Sequence, residues 1–435
     1  MPTKPYVPET EVTEICRDLI RIDTSNYGDD SGPGERVAAE YVAARLSEVG
    51  IEPQIFEPSR GRTSVVAHWG DPHIQNRLLI HGHLDVVPAA KADWKIDPFS
   101  AEVHDGYVWG RGAVDMKDFD AAILAVVRAR ARAERLPARP VTLAFTADEE
   151  AGSILGAHPL VRERAEWFEG CTEAIGEVGG FSATVAGRRI YLVETAEKGL
   201  AWVRLRAQGT TGHGSMRNPD NAVTAIAEAV AAIGRHEWPL RITPTMGALL
   251  EEVARLTGHD TVEDNVDALV EHFGHAARML AAVVRNTANP TMLDSGYKHN
   301  VIPGEATASI DGRFLPGYED EFFATLRSLL PDNVSYELLV HDRALETPFD
   351  GPLVEAMCAA LLTEDPDATV LPYLMSGGTD AKAWSQLGIR CFGFSPLRLP
   401  PDLDFTSLFH GVDERVPVDG LEFSARVLDD FLDRI

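Results

Sequence analysis

The stretch HGHLDVVP (81–88) ends an apolar run that begins RLLI (77–80), and it places His81, His83 and Asp85 together. A buried strand that ends in ionisable side chains must find partners for them. Alternate residues of a strand share a face, so the three project the same way. A histidine that binds metal has its second ring nitrogen held by a carboxylate or carbonyl, and Asp85 stands two residues from His83 for that task. His81 reads as a structural histidine. Asp115 lies where GRGAVDMKD (110–118) turns into a helix, as a ligand or only as an N-cap. TADEEAG (146–152) follows an apolar strand directly, and its neighbours Glu149 and Glu150 would repel each other in a dry site unless a cation intervened. They point in different directions, so one can bind a metal while the other faces a water, as metal-assisted hydrolysis requires. A solvated acidic turn is the plain alternative. Glu177 ends the apolar part of AIGEVGG (174–180), and His410 stands in LFHGVDERVP (408–417).

Two histidines (His83, His410) and three carboxylates (Asp115, Glu150, Glu177) form a set without thiolates. Against two divalent ions, these three negative charges leave one positive charge over, room for a bridging hydroxide. That suits a two-metal hydrolytic site, with zinc the first choice and cobalt or manganese the second.

These residues need a scaffold, and the first part of the chain supplies an alternation of elements. Residues 11–22 and 34–50 read as amphipathic helices, 63–69 and 77–87 as strands, 115–134 as a long helix and 140–148 as a strand. This order predicts an α/β fold with helices on both faces of the sheet. In the middle, 199–209, 305–316 and 334–342 read as strands, with helices at 221–237 and 319–330. That predicts a second, smaller sheet with helices on one face. Residues 243–285 look helical and form an extra segment, and α/β character returns after about residue 344. The expected organisation is a catalytic domain in two parts, 1–197 and 344–435, interrupted by a domain at 198–343 that includes the helical segment.

With 435 residues the chain exceeds a single core. Acidic residues outnumber basic ones by 67 to 40, for a net charge of −27, which argues against nucleic acid as a partner. The four cysteines are scattered, which fits a reducing compartment. No apolar leader stands in MPTKPYVPET and no apolar run is long enough to span a membrane, so a cytoplasmic protein is expected. No G-x-S-x-G elbow and no H-E-x-x-H helix occurs, which sets aside a serine hydrolase and a single-zinc protease of that type.

The ordered set HGHLDVVP, GRGAVDMKD, TADEEAG, GEVGG, GHGS, NVIPG, SGGTDA and FHGVDERVP resembles the M20 metallopeptidase family over residues 80–417. That family includes carboxypeptidase G2, aminoacylase-1, succinyl-diaminopimelate desuccinylase and acetylornithine deacetylase types. The resemblance implies a mixed-sheet catalytic domain interrupted by an α+β, ferredoxin-like lid that forms a homodimer. It implies that His83, Asp115 and Glu177 bind one ion and Asp115, Glu150 and His410 the other, with Asp115 bridging. By the same likeness Glu149 is the general base, Asp85 orients His83, and the Asp115–Met116 bond is cis. His213 would reach the neighbouring subunit's site to stabilise an oxyanion. Asn300 and Arg313 would grip a substrate carboxylate, with backbone N–H groups of Gly377 and Gly378 beside them. The implied reaction is hydrolysis of an N-acyl amino acid, or of a short peptide as in a dipeptidase, carboxypeptidase or desuccinylase. A non-catalytic ligand binder is the alternative from another class, and it would show a missing base or ligand; none is missing here.

Overall fold

The computed structural model describes residues 7–435 except 30, 260, 263 and 264. The first six residues of the amino-terminal stretch read above therefore lie outside the description. Apolar strands assemble into a ten-stranded mixed sheet. Its path runs Pro53–Ser59, Arg62–Trp69, Val141–Thr146, Arg77–His83, Cys171–Gly176, Arg390–Gly393, Arg188–Glu197 and Leu345–Glu346. Thr369–Met375 and Phe181–Val185 also pair with Arg188–Glu197.

Strand alternation sends side chains into two separate cores. Val65, Ala67, Leu78 and Ile80 join the larger core, with the helices Val12–Arg21, Lys117–Arg132 and Val418–Arg434. Val66 and Leu79 face the opposite way, into a smaller core with Leu160, Phe168 and Trp384. Helices thus cover both faces, the arrangement that alternating elements predicted.

The register decides where chemistry can occur. Arg77–His83 runs parallel to Val141–Thr146, with His83 opposite Thr146, and parallel to Cys171–Gly176, with Ile80 opposite Ile175. Three strands therefore release their chains at one end of the sheet, the usual place for a site in such folds.

The smaller sheet is antiparallel and four-stranded, in the order Thr287–Ser295, Glu305–Phe314, Gly199–Gln208, Val334–Asp342. Ala201, Val203, Leu205 and Ala207 face its core, against the helices Ala222–Arg235 and Glu319–Ser328. Its edge strand Thr287–Ser295 escaped the sequence reading. Pro290 and an exposed second half, Thr291 to Ser295, deny it the alternation of a half-buried strand.

The helical segment needs a correction. Read with the smaller domain, it instead packs on the large sheet. Pro244–Thr257 lies against Thr369–Met375, and Met246, Leu249, Leu250 and Val253 share the larger core. Its entry and exit are tied by the N–H of Arg241 donating to the Val284 carbonyl at 2.8 Å. Buried Lys198, between the two sheets, donates to the carbonyls of Ala282 (3.0 Å) and Arg285 (2.9 Å). Among the described residues no helix is long and apolar enough to cross a membrane.

Candidate metal centre

His83 is the last residue of its strand and is fully enclosed. The H-G-H spacing has a packing reason: a Cβ at Gly82 would stand 2.2 Å from the Asp120 carboxylate and 2.9 Å from Met116 Cε. His83 Nδ1 lies 3.0 Å from the Asp85 main-chain carbonyl, which turns Nε2 inward. Asp85 thus holds the ring through its carbonyl, while its nearest carboxylate oxygen is 3.6 Å from the ring. The Asp85 carboxylate instead accepts the N–H groups of Glu149 and Glu150, each at 3.1 Å, and Asn26 Nδ2 at 2.9 Å. The carbonyl is the nearer reach for a ring two residues back, and the carboxylate is drawn to paired N–H donors. Asp85 therefore holds both the histidine and the acidic turn.

That turn, Glu149–Ala151, follows Asp148 in a left-handed conformation (φ 65°). The left-handed backbone is costly for a residue with a side chain and persists where surroundings fix it. Here the Asp148 carboxylate accepts from Leu155 N (2.8 Å) and Asn26 Nδ2 (3.1 Å).

Asp115 faces both histidines. One oxygen is 3.1 Å from His83 Nε2 and the other 3.3 Å from His410 Nε2. Glu177 lies 3.5 Å from His83 Nε2, Glu150 lies 2.9 Å from His410 Nε2, and Glu149 is 4.0 Å from His83 Nε2. The Asp115–Met116 peptide bond is cis. Ligating atoms of His83, Glu149 and Glu177, and of His83, Asp115 and Glu150, converge within 4.8 Å. His81 stands apart: its ring tilts over Trp384 at 5.8 Å, and burial pushes its pKa down to about 3.

The electrostatics follow from crowding acids in a dry site. Burial raises Glu149 well above the carboxylate range, with Glu177 adding repulsion, and it raises Glu177 to about 7. Glu150 is raised as well, by burial and then by Asp115. Burial opposes ionisation of Asp115 too, yet hydrogen bonds from His410 and His83 hold it below its ordinary value. His410 is raised to about 10 by its hydrogen bonds to Asp115 and Glu150. For His83 burial is outweighed by Glu177, Asp115 and Glu149. Two imidazoles and four carboxylates that raise each other's cost of ionisation form a nitrogen–oxygen donor set that fits a divalent cation.

Two residues missed by sequence reasoning bind the halves of this site together. Glu414, fully buried, accepts Arg111 Nη1 (2.6 Å), Gly112 N (3.1 Å) and Val114 N (2.7 Å), and so shapes the turn before Asp115. Arg111 Nη2 also donates to the Gly411 carbonyl at 2.9 Å, beside His410. Both residues stand inside the motifs quoted above, GRGAVDMKD and LFHGVDERVP, but nothing local to either motif gives them a role. Asp380 was missed as well: it accepts Thr146 Oγ1 at 2.6 Å and Ser153 Oγ, joining the glycine loop to the acidic turn.

A cleft of about 300 Å³ opens beside Glu149, Glu150 and His410, and Arg313, Gly377 and Gly378 line it. His158, another residue the sequence reading passed over, lines it too, with Nδ1 3.2 Å from Gln386 Nε2. His213 and Asn300 are not part of that lining. His213 lies on an exposed two-strand ribbon, Gly212–His213 with Val301–Ile302, and Asn300 immediately precedes the second strand.

Comparison with known proteins gives the family and the fold. Residues 79–434 match the family described as Peptidase family M20/M25/M40. The N-fatty-acyl-amino acid synthase/hydrolase PM20D1 of Bos taurus is 26% identical over 426 residues, covering 90% of this chain and 83% of its own length. Aminoacylase-1 of Pongo abelii is 27% identical, covering 94% and 92%. The M20 family metallo-carboxypeptidase Sso-CP2 of Sulfolobus solfataricus has the same fold, with a TM-score of 0.73 at 19% identity over 98% of this chain and 99% of its own.

Proposed function

This chain belongs to peptidase family M20/M25/M40, whose members are metal-dependent amidohydrolases, and from that premise we propose that it cleaves the amide bond of an N-acyl amino acid or short peptide bearing a free carboxylate. The observation that carries the reading is Asp115, with one carboxylate oxygen toward His83 and the other toward His410. In this reading His83, Asp115 and Glu177 hold one ion and Asp115, Glu150 and His410 the second, with zinc preferred and cobalt or manganese able to replace it. When such ions are bound, the chemistry they supply is polarisation of the scissile carbonyl and acidification of a water.

Glu149 is the group that takes the water's proton and returns it to the leaving amine. Burial, with repulsion from Glu177, pushes its carboxyl above the usual range and so raises its affinity for a proton, and it stands 4.0 Å from His83 Nε2, beside the groups that would hold the metal. Asp85 fixes its main chain, and the N–H groups of Gly377 and Gly378, with Arg313, hold the substrate carboxylate. His213 and Asn300, on their exposed ribbon, serve the cleft of a second copy of the chain in a homodimer, where His213 stabilises the oxyanion.

The test combines metal counting with turnover of N-acyl amino acids and dipeptides. Wild type should hold two ions per chain. Glu149→Ala should keep both and lose about 10²- to 10⁴-fold in kcat. One ion per chain, or full activity in the variant, would count against the assignment.

A further inference from the structure

The smaller sheet turns a short patch of its open face into the cleft, and the patch has a chemistry of its own. Leu200 and Trp202, two residues apart on strand Gly199–Gln208, project away from the core that Ala201 and Val203 fill. Both line the cleft beside Glu149 and His410, and Trp202 is 47% exposed. Met292, Leu293, Leu338 and Leu339 are exposed on the same sheet, but none of them lines the cleft; the indole that opens beside the catalytic groups is the one that calls for an explanation.

The register supplies the scale. Leu200 pairs with Arg313 on one side and Asp342 on the other, while Trp202 pairs with Asp311 and Val340. Directly opposed side chains have Cβ atoms about 5 Å apart, and diagonal neighbours stand about 7 Å apart. Asp311 accepts Arg313 Nε (2.7 Å) and Nη2 (3.2 Å), which fixes the guanidinium and directs its Nη1 side away from Asp311. A carboxylate held at that side lies one side chain's reach from Leu200 and Trp202. The group that meets the indole is therefore carried by the same residue as the carboxylate, not by the acyl group across the scissile bond.

We propose that Leu200 and Trp202 form the pocket for the side chain of the carboxylate-bearing residue, and that Asp342 rejects an acidic side chain there. The substrates are then N-acyl derivatives of amino acids with large apolar side chains, or peptides ending in one. This rests on the proposed function, since it assumes that Arg313 holds the substrate carboxylate.

The test is a panel of N-acetyl-phenylalanine, -leucine, -glycine, -glutamate and -lysine, with Gly-Phe and Gly-Gly, on the metal-loaded protein. The expected kcat/KM for phenylalanine and leucine is tenfold or more above that for glycine and glutamate. Trp202→Ala should reduce the phenylalanine-to-glycine ratio roughly tenfold, mainly through KM. Trp202→Phe should retain most of the ratio, which separates apolar contact from a folding defect. Asp342→Asn should raise the relative rate on N-acetylglutamate. An unchanged ratio in Trp202→Ala, equal losses in Trp202→Ala and Trp202→Phe, or a wild-type preference for glutamate or lysine overturns the pocket while leaving the hydrolase in place. No hydrolysis of any member overturns the proposed function itself.

Discussion

Glutamine at position 414 would keep the shape of the side chain that joins the Asp115 turn to the His410 loop and remove its charge. One Glu414 oxygen accepts Arg111 Nη1 and Gly112 N, and the other accepts Val114 N. An amide nitrogen at either position faces a donor, so at least one buried N–H loses its acceptor, at a cost of about 1–3 kcal/mol. Arg111, 3% exposed, also loses its counter-charge. Breaking a buried pair from one side costs roughly 3–5 kcal/mol. The two figures overlap, because the guanidinium is one of the donors, so about 3–5 kcal/mol is the working total. For a large domain each kcal/mol shifts Tm by about 2 °C, which gives a loss of roughly 6–10 °C. The assay is thermal unfolding at pH 8, above the value of about 7 to which burial pushes Glu414. Because Val114 and Gly411 adjoin Asp115 and His410, the Tm increment on adding zinc should shrink as well. Arg111→Met with Glu414→Met should lose less than the two single changes summed, since neither leaves a lone charge. A Glu414→Gln shift under 2 °C with the zinc increment intact would refute this account of how the halves of the site are joined.

Three further outcomes follow from the same structure. Glu177 is raised to about 7 and His410 to about 10 in the metal-free fold. A folded pKa above the unfolded value gives stability that is full below the unfolded pKa and lost as pH rises through the folded one. Metal-free protein should therefore lose stability from about pH 4.5 to 7 through Glu177, and from about 6.5 to 10 through His410. Binding zinc at pH 7 should release protons, read as a binding enthalpy that depends on the buffer, and a buffer-independent enthalpy would contradict the protonated state. Leu249, fully buried on Pro244–Thr257, packs in the larger core. Leu249→Ala should cost about 2–5 kcal/mol in denaturant unfolding; a loss under 1 kcal/mol would mean that the helical segment does not share that core.

Local pattern made part of this molecule legible. His83, Asp115, Glu149, Glu150, Glu177 and His410 each follow or adjoin an apolar run, and ionisable groups placed there require partners. Their types suggest a nitrogen–oxygen donor set for a divalent cation before any distance is known. Helices and strands with clean periodicity, such as 11–22 and 199–209, could be read the same way, because period and burial are written along the chain. Strand Thr287–Ser295 could not, since an exposed edge carries no period. Nor could Arg188–Glu197 and Thr369–Met375, the first buried along most of its length and the second grading from half-buried to buried, without the alternation of a half-exposed strand.

Tertiary structure alone decided who partners whom. The chain shows Asp85 two residues from His83, but only the fold shows that its carbonyl takes the ring and its carboxylate the acidic turn. Arg111 and Glu414 are 303 residues apart, and no local signal links them. The helical segment is enclosed by the smaller domain in sequence yet packs on the larger one. Leu200 and Trp202 read as the wet face of an alternating strand until the fold turns that face into a cleft. Residue type and spacing determine which groups need a partner; the register of strands and the packing of distant segments determine which partner they meet.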